Sequence, residues 1–403
     1  MTGLYPDQTG ILSNRGHFRT KHPNIVTMSQ MFRNHGYIAA RIGKIYHYGV
    51  PYQIGTDGED DLASWDIRVN PRGIDREIHD QIHSIRPDAP IESRFGGTLS
   101  WLSVPDDSEQ HTDGQGATAA IRLLNELHPD KTGQPFFLAL GFYRPHTPYV
   151  APSKFFDWYP RTSIEPVLEK PDDREDIPMA AWYDRPRQRE LDLPTRKEII
   201  QAYYASISLM DEQLGRVIDA LEEKNLADNT IIVFISDHGY HLGAHGLWQK
   251  GDLFEGSCHV PLIIVDPASN KVGQVASSPV ELIDLYPTLA ELCQVSAADH
   301  VKGVSLGPML DNPDASVKPA ALSVSVSRAR QMHKTFTDKP VMGYSIRTPR
   351  YRYTQWGGGE YGHELYDYDS DPNEYTNLAD DPAHERTLGR MQALLADAID
   401  RAK

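Results

Sequence analysis

The chain has 403 residues, of which 39% are hydrophobic and 24% are charged, an ordinary composition for a globular protein that excludes extended disorder. Its formal net charge of −16 argues against a nucleic-acid partner, because phosphate backbones are bound by basic surfaces. A local basic cluster could still bind a small anion despite this net charge. No apolar run reaches the roughly 18 residues of a membrane span.

The first part of the chain alternates helical and strand patterns. TMSQMFRN places Met28, Met31 and Phe32 at helical spacing, and YIAARI after it predicts a short buried strand. ATAAIRLLNEL predicts a second helix, and FFLALGF predicts a second strand. A long irregular stretch follows from Arg144 to about Thr195, and loops of that length are usually functional.

A long helix and two apolar strands dominate the middle of the chain. KEIIQAYYASISLMDEQLGRVIDALEEKN predicts an amphipathic helix that Asn225 can end, and TIIVFI and VPLIIVD are apolar runs without alternation. Such strands are typical of a parallel sheet that helices cover on both faces. We therefore predict an α/β fold with a mostly parallel central sheet flanked by helices.

The pattern changes after Lys302. ALSVSVSRA, MGYSIRT and RYRYTQW alternate polar and apolar residues, which predicts a half-exposed antiparallel sheet, and ERTLGRMQALLADAIDRAK predicts an amphipathic helix. We predict an α/β domain at residues 1–301 and a smaller C-terminal α+β subdomain with an antiparallel sheet at residues 302–403.

The chain contains two cysteines, Cys258 and Cys293. Neither belongs to a Cys-x-x-Cys pair, which argues against a structural zinc site. A disulfide between them is one interpretation, but two buried free thiols are the favoured one.

The first candidate site follows the strand TIIVFI, in SDHGYHLGAHGLWQK. Ligands in open α/β sheets bind beyond the carboxyl ends of the strands, and Asp237 beside His238 suits a divalent metal. The alternative is that Asp237 caps a turn and His238 bonds to it. His241, His245 and Lys250 in the same loop favour a functional site, while the loop's glycines argue against a helical pair of zinc ligands.

Two further candidates follow the other strands. In GKIYHYG, Lys44 and His47 could hold an anion and donate a proton, although this segment alone is better explained as a surface lysine and a half-buried histidine. In GFYRPHTPY, prolines restrict the backbone around His146, which also describes an ordinary proline-rich turn. All three strand ends could face one pocket, and together they predict a metal-assisted site for an oxyanion ester.

Several segments carry a resemblance to a known family. In chain order they are TGLYPDQTGI, GYIAARIGKIYH, FFLALGFYRPHTPY, YYASISLMDEQLGRVIDAL, TIIVFISDHGYHLGAHGLWQKGDLFEGSCHVPLII and MGYSIRTPRYRYTQW…ELYDYDSDPNEYTNL. The chain resembles the sulfatases of the alkaline phosphatase superfamily, and most closely the iduronate-2-sulfatase type. The stretch from SDHG to the lysine and the MGYSIRT stretch are the most specific.

The resemblance implies two cofactors. In that family a calcium ion (magnesium is less expected) acts with a formylglycine made from a cysteine, whose gem-diol attacks the sulfur of a sulfate ester. Asp237 and His238 resemble residues of the metal site.

The resemblance also implies roles for four basic residues. Lys44 and Lys250 resemble the lysines that bind the sulfate group. His47 resembles the histidine that supports the formylglycine hydroxyls, and His146 resembles the histidine near the leaving oxygen. Metal, lysine and histidine together stabilise the negative charge that develops on that oxygen.

One departure from the family is serious. The sequence has no Cys-x-Pro-Ser-Arg motif, Cys258 and Cys293 lack the right neighbours, and the family's first pair of metal carboxylates has no match. We expect a truncated gene model in which Met1 is an internal residue of a longer enzyme, so that the chain as given is inactive. An inactive descendant is the alternative.

The predicted function is that of a sulfuric ester hydrolase that acts on a sulfated sugar or polysaccharide, as in glycosaminoglycan degradation. One alternative is a phosphodiesterase or phosphonate monoester hydrolase of the same superfamily, and another is a catalytically dead protein that binds sulfated glycans. The resemblance implies a periplasmic, secreted or lysosomal location, although the sequence shows no signal peptide.

Overall fold

The computed structural model describes residues 1–14, 16–105, 107–167, 170–183, 185–329, 337 and 339–403. These residues form two compact units. Unit one contains Met1–Val26, Val167–Glu190 and Ile231–Lys403, and unit two contains Thr27–Pro166 and Leu191–Thr230.

The strands are β1 (Ile38–Gly43), β2 (Ile67–Val69), β3 (His83–Ser84), β4 (Ser100–Val104), β5 (Phe136–Gly141), β6 (Tyr149–Pro152), β7 (Ile232–Ile235), β8 (Leu262–Val265), β9 (Ala321–Val326), β10 (Met342–Arg347), β11 (Tyr351–Trp356) and β12 (His363–Asp367). The helices are α1 (Pro6–Thr9), α2 (Met28–Asn34), α3 (Ile74–Glu77), α4 (Ile91–Arg94), α5 (Thr112–Glu126), α6 (Pro129–Thr132), α7 (Ser153–Asp157), α8 (Pro186–Arg189), α9 (Leu193–Glu223), α10 (Glu255–Cys258), α11 (Leu285–Leu292), α12 (Gly307–Asp311) and α13 (Glu385–Ala402).

Unit two contains the predicted parallel sheet. Its strand order is β2-β1-β5, and β1 pairs in parallel with both neighbours. Helix α5 packs closely on this sheet, because a Cβ built at Gly116 would lie 3.8 Å from Ile42 and 3.9 Å from Leu140. A second sheet has the order β3-β4-β6. The predicted α/β fold with a parallel sheet flanked by helices is confirmed.

The long helix α9 begins and ends at recognisable signals. The side chain of Asp192 accepts a hydrogen bond of 2.9 Å from the backbone N–H of Thr195 and caps the first turn. The helix stops before Asn225, whose φ of 56° lies in the left-handed region. It therefore begins earlier than its apolar stripe predicted and ends where expected.

Unit one contains the predicted antiparallel sheet. Its strand order is β12-β11-β10-β9, and all three pairings are antiparallel. Buried side chains of the sheet, among them Ile346 and Leu365, form one apolar core with Met391 and Leu395 of α13. The antiparallel sheet and its closing helix are thus confirmed. The expected half-exposed face is not found in the described sheet, because the consecutive residues Tyr351–Thr354 of β11, which face both sides of the sheet, are all buried. The domain boundary between residues 301 and 302 stays a prediction.

Strands β7 and β8 differ from what their sequence predicted. They pair antiparallel in a two-stranded sheet, and Ile235, Ile263 and Val265 are 43%, 55% and 45% exposed. The prediction that helices cover both faces of these strands, in a parallel sheet, was therefore wrong for the described part of the chain. An apolar β-branched run sets strand propensity, but neither the direction of its partner nor what covers its faces.

Both cysteines are free thiols, but they are half-buried rather than buried. Burial raises the pKa of the Cys258 thiol to about 11. In the described part of the chain, no helix has the length and apolar content needed to cross a membrane.

Candidate functional site

In unit two the carboxyl ends of β1 and β5 lie side by side. Gly43 is paired with Gly141, and the backbone N–H of Lys44 donates a 2.9 Å hydrogen bond to the Gly141 carbonyl. A Cβ at Gly141 would collide with the carbonyl oxygen of Lys44, so this close approach requires glycine. The segments that carry Lys44 and His146 therefore leave the sheet from the same edge.

Two tyrosines join the loops that follow these strands. The rings of Tyr48 and Tyr143 meet edge to face with centroids 5.7 Å apart, and both are buried in a small core with Val50 and Ile54. His47 precedes the first of these rings and is exposed. The loop with His47 and the loop before His146 are thereby packed together.

A buried carboxylate holds the start of the His146 loop. The two oxygens of Asp113, in the first turn of α5, accept the backbone N–H groups of Tyr143 and Arg144 at 2.8 and 2.9 Å. Burial raises the pKa of Asp113 to about 6, although the Arg144 charge and these hydrogen bonds lower it. The backbone on the N-terminal side of His146 is therefore tied to helix α5.

Arg144 is used inside the fold. Its Nη2 lies 2.6 Å from Oδ2 of Asp75, and both side chains are only 2% exposed. The other oxygen of Asp75 accepts the backbone N–H and the hydroxyl of Thr112 at 2.8 and 2.6 Å. Arg144 thus supports the loop.

The hydrogen bonding of His146 defines its tautomer. Its Nδ1 lies 2.7 Å from the carbonyl oxygen of Thr147, and because a carbonyl only accepts, Nδ1 carries the proton. In the neutral ring Nε2 then has the lone pair, and in the charged ring Nε2 has the second proton. This nitrogen is therefore the one that can exchange a proton with a ligand.

In unit one Asp237 and His238 follow the end of β7. The Asp237 side chain is 70% exposed, and its Oδ1 lies 3.5 Å from Nε2 of His238. Nδ1 of His238 lies 2.8 Å from the carbonyl oxygen of Gly239, which assigns the proton to Nδ1 and the lone pair to Nε2. A carboxylate and an imidazole nitrogen in this arrangement suit a metal ion. Among the described residues, no group of three or more potential ligands is found.

The two other histidines of this loop have buried carboxylate partners that the sequence reading missed. Nε2 of His241 lies 3.0 Å from Asp252, and Nδ1 of His245 lies 3.0 Å from Asp173. Burial raises the pKa of Asp252, but His241 together with hydrogen bonds from Ser257 and Phe254 brings it below its usual value. Burial lowers the pKa of His245, but Asp173 together with the charges of Glu374 and Asp252 brings it above its usual value. The only sequence signal was the density of ionisable residues in this loop.

Lys250 lies on a segment that is hydrogen-bonded to the loop of Asp237 and His238. The backbone N–H of His241 donates to the carbonyl of Gln249 at 3.1 Å, so the chain on either side of the turn is paired. The side chain of Lys250 is half-buried and lines a small recess together with Tyr183, Arg185, Gln188, Gln249 and Asp252.

The structure thus places the six predicted residues in two sets. Lys44, His47 and His146 belong to unit two, where β1 and β5 bring their segments together. Asp237, His238 and Lys250 belong to unit one. The convergence of all three strand ends on one pocket stays a prediction.

Comparisons with known proteins agree across nearly the whole chain. A family model described as Sulfatase matches residues 1–295, and one described as N-sulphoglucosamine sulphohydrolase, C-terminal, matches residues 243–401. Human iduronate 2-sulfatase is 30% identical over 458 residues, which cover 94% of this chain and 81% of that protein.

Two solved structures share the fold. A 2-O GAG sulfatase superposes with a TM-score of 0.70 at 22% identity and covers 100% of this chain and 80% of its own. The phosphonate monoester hydrolase of Agrobacterium radiobacter superposes with a TM-score of 0.77 at 21% identity and covers 99% and 84%. At these identities the likeness concerns the fold alone.

Proposed function

Because the chain belongs to the sulfatase family, a family of sulfuric ester hydrolases, we propose that its substrate is the sulfate ester of a sulfated sugar or glycosaminoglycan. The observation that carries the proposal is the shared sheet edge from which the segments of Lys44 and His146 emerge. An ammonium group and an imidazole at adjacent strand ends supply the two things that cleavage of an anionic ester needs, a counter-charge and a proton donor. The similarity to human iduronate 2-sulfatase supports a sugar substrate.

The basic residues have distinct proposed roles. Lys44 and Lys250 each bind sulfate oxygens. His146 gives its Nε2 proton to the leaving oxygen, where negative charge develops as the ester bond breaks. His47 supports the hydroxyls of the attacking group. The sequence contains no Cys-x-Pro-Ser-Arg motif, so no nucleophile is assigned.

The metal site is proposed at Asp237 and His238. The carboxylate and Nε2 lie 3.5 Å apart, and the Nδ1 hydrogen bond to Gly239 leaves Nε2 as an electron-pair donor. Calcium is the proposed ion, with magnesium as the alternative. A bound divalent ion supplies Lewis-acid stabilisation of oxyanion charge. We also propose, on the family resemblance, that the protein acts in a periplasmic, secreted or lysosomal compartment.

Titration calorimetry in calcium buffer tests the lysine roles. The probes are N-acetylglucosamine 6-sulfate, which has one sulfate and no other charge, and unsulfated N-acetylglucosamine. We expect only the sulfated sugar to bind, and Lys44→Ala or Lys250→Ala to weaken binding about tenfold or more, because each removes a charge-assisted hydrogen bond. The exposed residues Lys154 and Lys302 provide matched Lys→Ala controls that keep wild-type affinity. Equal binding of both sugars would refute the proposal.

Two further measurements separate the alternatives. Phenyl phosphonate binding tighter than the sulfate ester would favour a phosphonate monoester hydrolase, whose fold is shared. Sequencing the DNA before the Met1 codon tests for a nucleophile. In-frame codons for a Cys-x-Pro-Ser-Arg motif there would support the proposal that the protein is a hydrolase. An in-frame stop directly upstream, together with binding but no release of sulfate, would replace the hydrolase by a protein that only binds sulfated glycans.

A further inference from the structure

His241 holds the chain on both sides of Lys250. Its backbone N–H donates a 3.1 Å hydrogen bond to the carbonyl of Gln249, the residue before the lysine. Its ring nitrogen Nε2 lies 3.0 and 3.1 Å from the two carboxylate oxygens of Asp252, the second residue after the lysine. One residue therefore fixes both ends of the short segment that contains Lys250.

The pair of His241 and Asp252 is shielded from water. Their side chains are only 1% and 3% exposed. Because the pKa of Asp252 lies below its usual value, its carboxylate is ionised and only accepts, so Nε2 of His241 carries the shared proton. A charge-assisted hydrogen bond of this kind is strong and directional away from water. The position of Asp252 therefore follows that of the His241 ring.

The His241 ring is itself held by helix α10 and the residue before it. A Cβ built at Gly256 would lie 2.9 Å from Nδ1 of His241, so the ring packs directly on the backbone of that helix. The ring also meets Phe254 edge to face at 6.3 Å, and the backbone N–H of Phe254 donates to Asp252 at 3.2 Å. These contacts fix the ring on the side away from the carboxylate as well.

Lys250 lies between buried residues but is itself only half-buried. Trp248 and Gln249 before it are buried, whereas Lys250 and Gly251 are intermediate in exposure. Gly251 has a φ of 111°, a left-handed conformation that favours glycine and turns the chain directly after the lysine. The direction in which the lysine leaves the backbone is thus set by its fixed neighbours.

We infer that the His241–Asp252 pair is a positioning pair that holds Lys250 in place for the sulfate group. The inference rests on the proposed function, in which Lys250 binds sulfate oxygens. His241 acts through the lysine and does not itself contact the sugar. A lysine whose backbone is already in place loses less conformational freedom when it binds its ligand. The pair therefore raises sulfate affinity only while Lys250 is present.

Titration calorimetry with N-acetylglucosamine 6-sulfate in calcium buffer compares two amides at position 241. The amide nitrogen of glutamine has about the reach of Nε2 and can donate to Asp252, whereas that of asparagine has the shorter reach of Nδ1. We expect His241→Asn to weaken binding about fivefold and His241→Gln to stay within about twofold of wild type. Asp252→Ala should weaken binding about as much as His241→Asn.

Two lysine backgrounds separate positioning from a general effect on the fold. In the Lys250→Ala protein, His241→Asn should change the affinity by less than about twofold, because the residue through which it acts is gone. In the Lys44→Ala protein, His241→Asn should still cost about fivefold, since Lys44 does not depend on this pair. A residue that serves only the fold would weaken binding in both backgrounds.

A matched variant controls for the loss of a histidine–aspartate pair. His384 lies 3.0 Å from Asp381 in a partly exposed pair of unit one, and His384→Asn should bind the sugar like the wild type. Circular dichroism melting establishes which variants are folded. If His241→Asn is not, Gly256→Ala replaces it, because the added methyl group displaces the His241 ring with both partners intact. It should give the same loss, again only with Lys250 present.

The positioning role and the proposed function fail in different ways. If His241→Asn binds the sulfated sugar like the wild type, or weakens binding equally in the Lys250→Ala protein, the positioning role is refuted and the proposed function stands. If Lys250→Ala itself binds like the wild type, the role of the lysine fails and the positioning role fails with it. If the wild type binds no sulfated sugar, the proposed function fails.

Discussion

Arg144 and Asp75 form an ion pair of 2.6 Å in which each side chain is only 2% exposed. The Asp75 carboxylate also accepts both the N–H and the hydroxyl of Thr112, and Arg144 Nε donates to the Val150 carbonyl at 3.1 Å. The pair therefore joins the start of helix α5 to both sides of the His146 loop. The pair therefore supports the loop that carries His146, the proposed proton donor.

Breaking this pair should destabilise the protein strongly. Arg144→Met or Asp75→Ala leaves one buried charge without its partner, so we expect each to lower the free energy of unfolding by about 3–5 kcal/mol in urea denaturation. The double variant should cost less than the two single losses added together. Lys154→Met is the control, because its ion pair with Glu212 is exposed and is worth about 1 kcal/mol or less. Additive losses would show that the two residues act independently.

The stability of the protein should depend on pH through Asp113. Burial raises the pKa of its carboxyl from 3.8 to about 6, so between these values the folded state binds more protons than the unfolded state. The free energy of unfolding therefore falls as pH rises through this window, by about 3 kcal/mol in total. Asp113→Asn removes the titration and should remove this part of the slope in urea denaturation at several pH values.

A second carboxyl makes the comparison between variants necessary. Burial also raises the pKa of Glu364 to about 7, so wild-type stability declines through both groups as pH rises. Only the difference between wild type and Asp113→Asn isolates Asp113. Asp130→Asn serves as the control, because the Asp130 side chain is 90% exposed. An Asp113→Asn variant with the wild-type slope would contradict the assignment.

Calcium should stabilise the folded protein through Asp237 and His238. A ligand that binds only the folded state raises the melting temperature, by about 2 °C or more at saturating calcium. Asp237→Asn should abolish the shift, and His238→Ala should reduce it. Asp381→Asn, which alters an Asp–His pair three residues apart in unit one, Asp381 with His384, should leave it unchanged. A wild-type melting temperature that calcium and chelator do not change would exclude this metal site.

Glu374 should contribute strongly to the stability of unit one. Its carboxylate accepts hydrogen bonds from Arg352 at 2.7 Å, from Tyr368 at 2.6 Å and from the backbone of Glu255 at 2.7 Å. Arg352 is only 2% exposed and is also paired with the Glu255 carboxylate. Glu374→Ala therefore removes one of its two carboxylate partners and should cost about 2–3 kcal/mol. Asp400→Asn, which breaks an exposed pair with Lys403, should cost about 0.5 kcal/mol or less. Similar losses in urea denaturation for both variants would contradict this role.

Local pattern was sufficient for much of the secondary structure and for the position of Lys44 and His146 after the ends of two strands. The apolar spacing of residues 27–34 and 385–402 predicted helices that the structure contains, and YIAARI and FFLALGF predicted β1 and β5. The residues singled out after these strands, Lys44 and His146, do leave the sheet at one edge. Such predictions succeed because burial of one helix face or one strand is recorded in consecutive residues.

The sequence by itself determined the α/β class, the family and which loops carry ionisable residues. Only the tertiary structure decided that Arg144 pairs with Asp75, 69 residues away, that His245 meets Asp173, 72 residues away, and that β7 pairs antiparallel with β8. The physical reason is range: periodicity reports which side of a segment is buried, whereas a charge pair or a strand partner depends on which distant segment folding brings to that side.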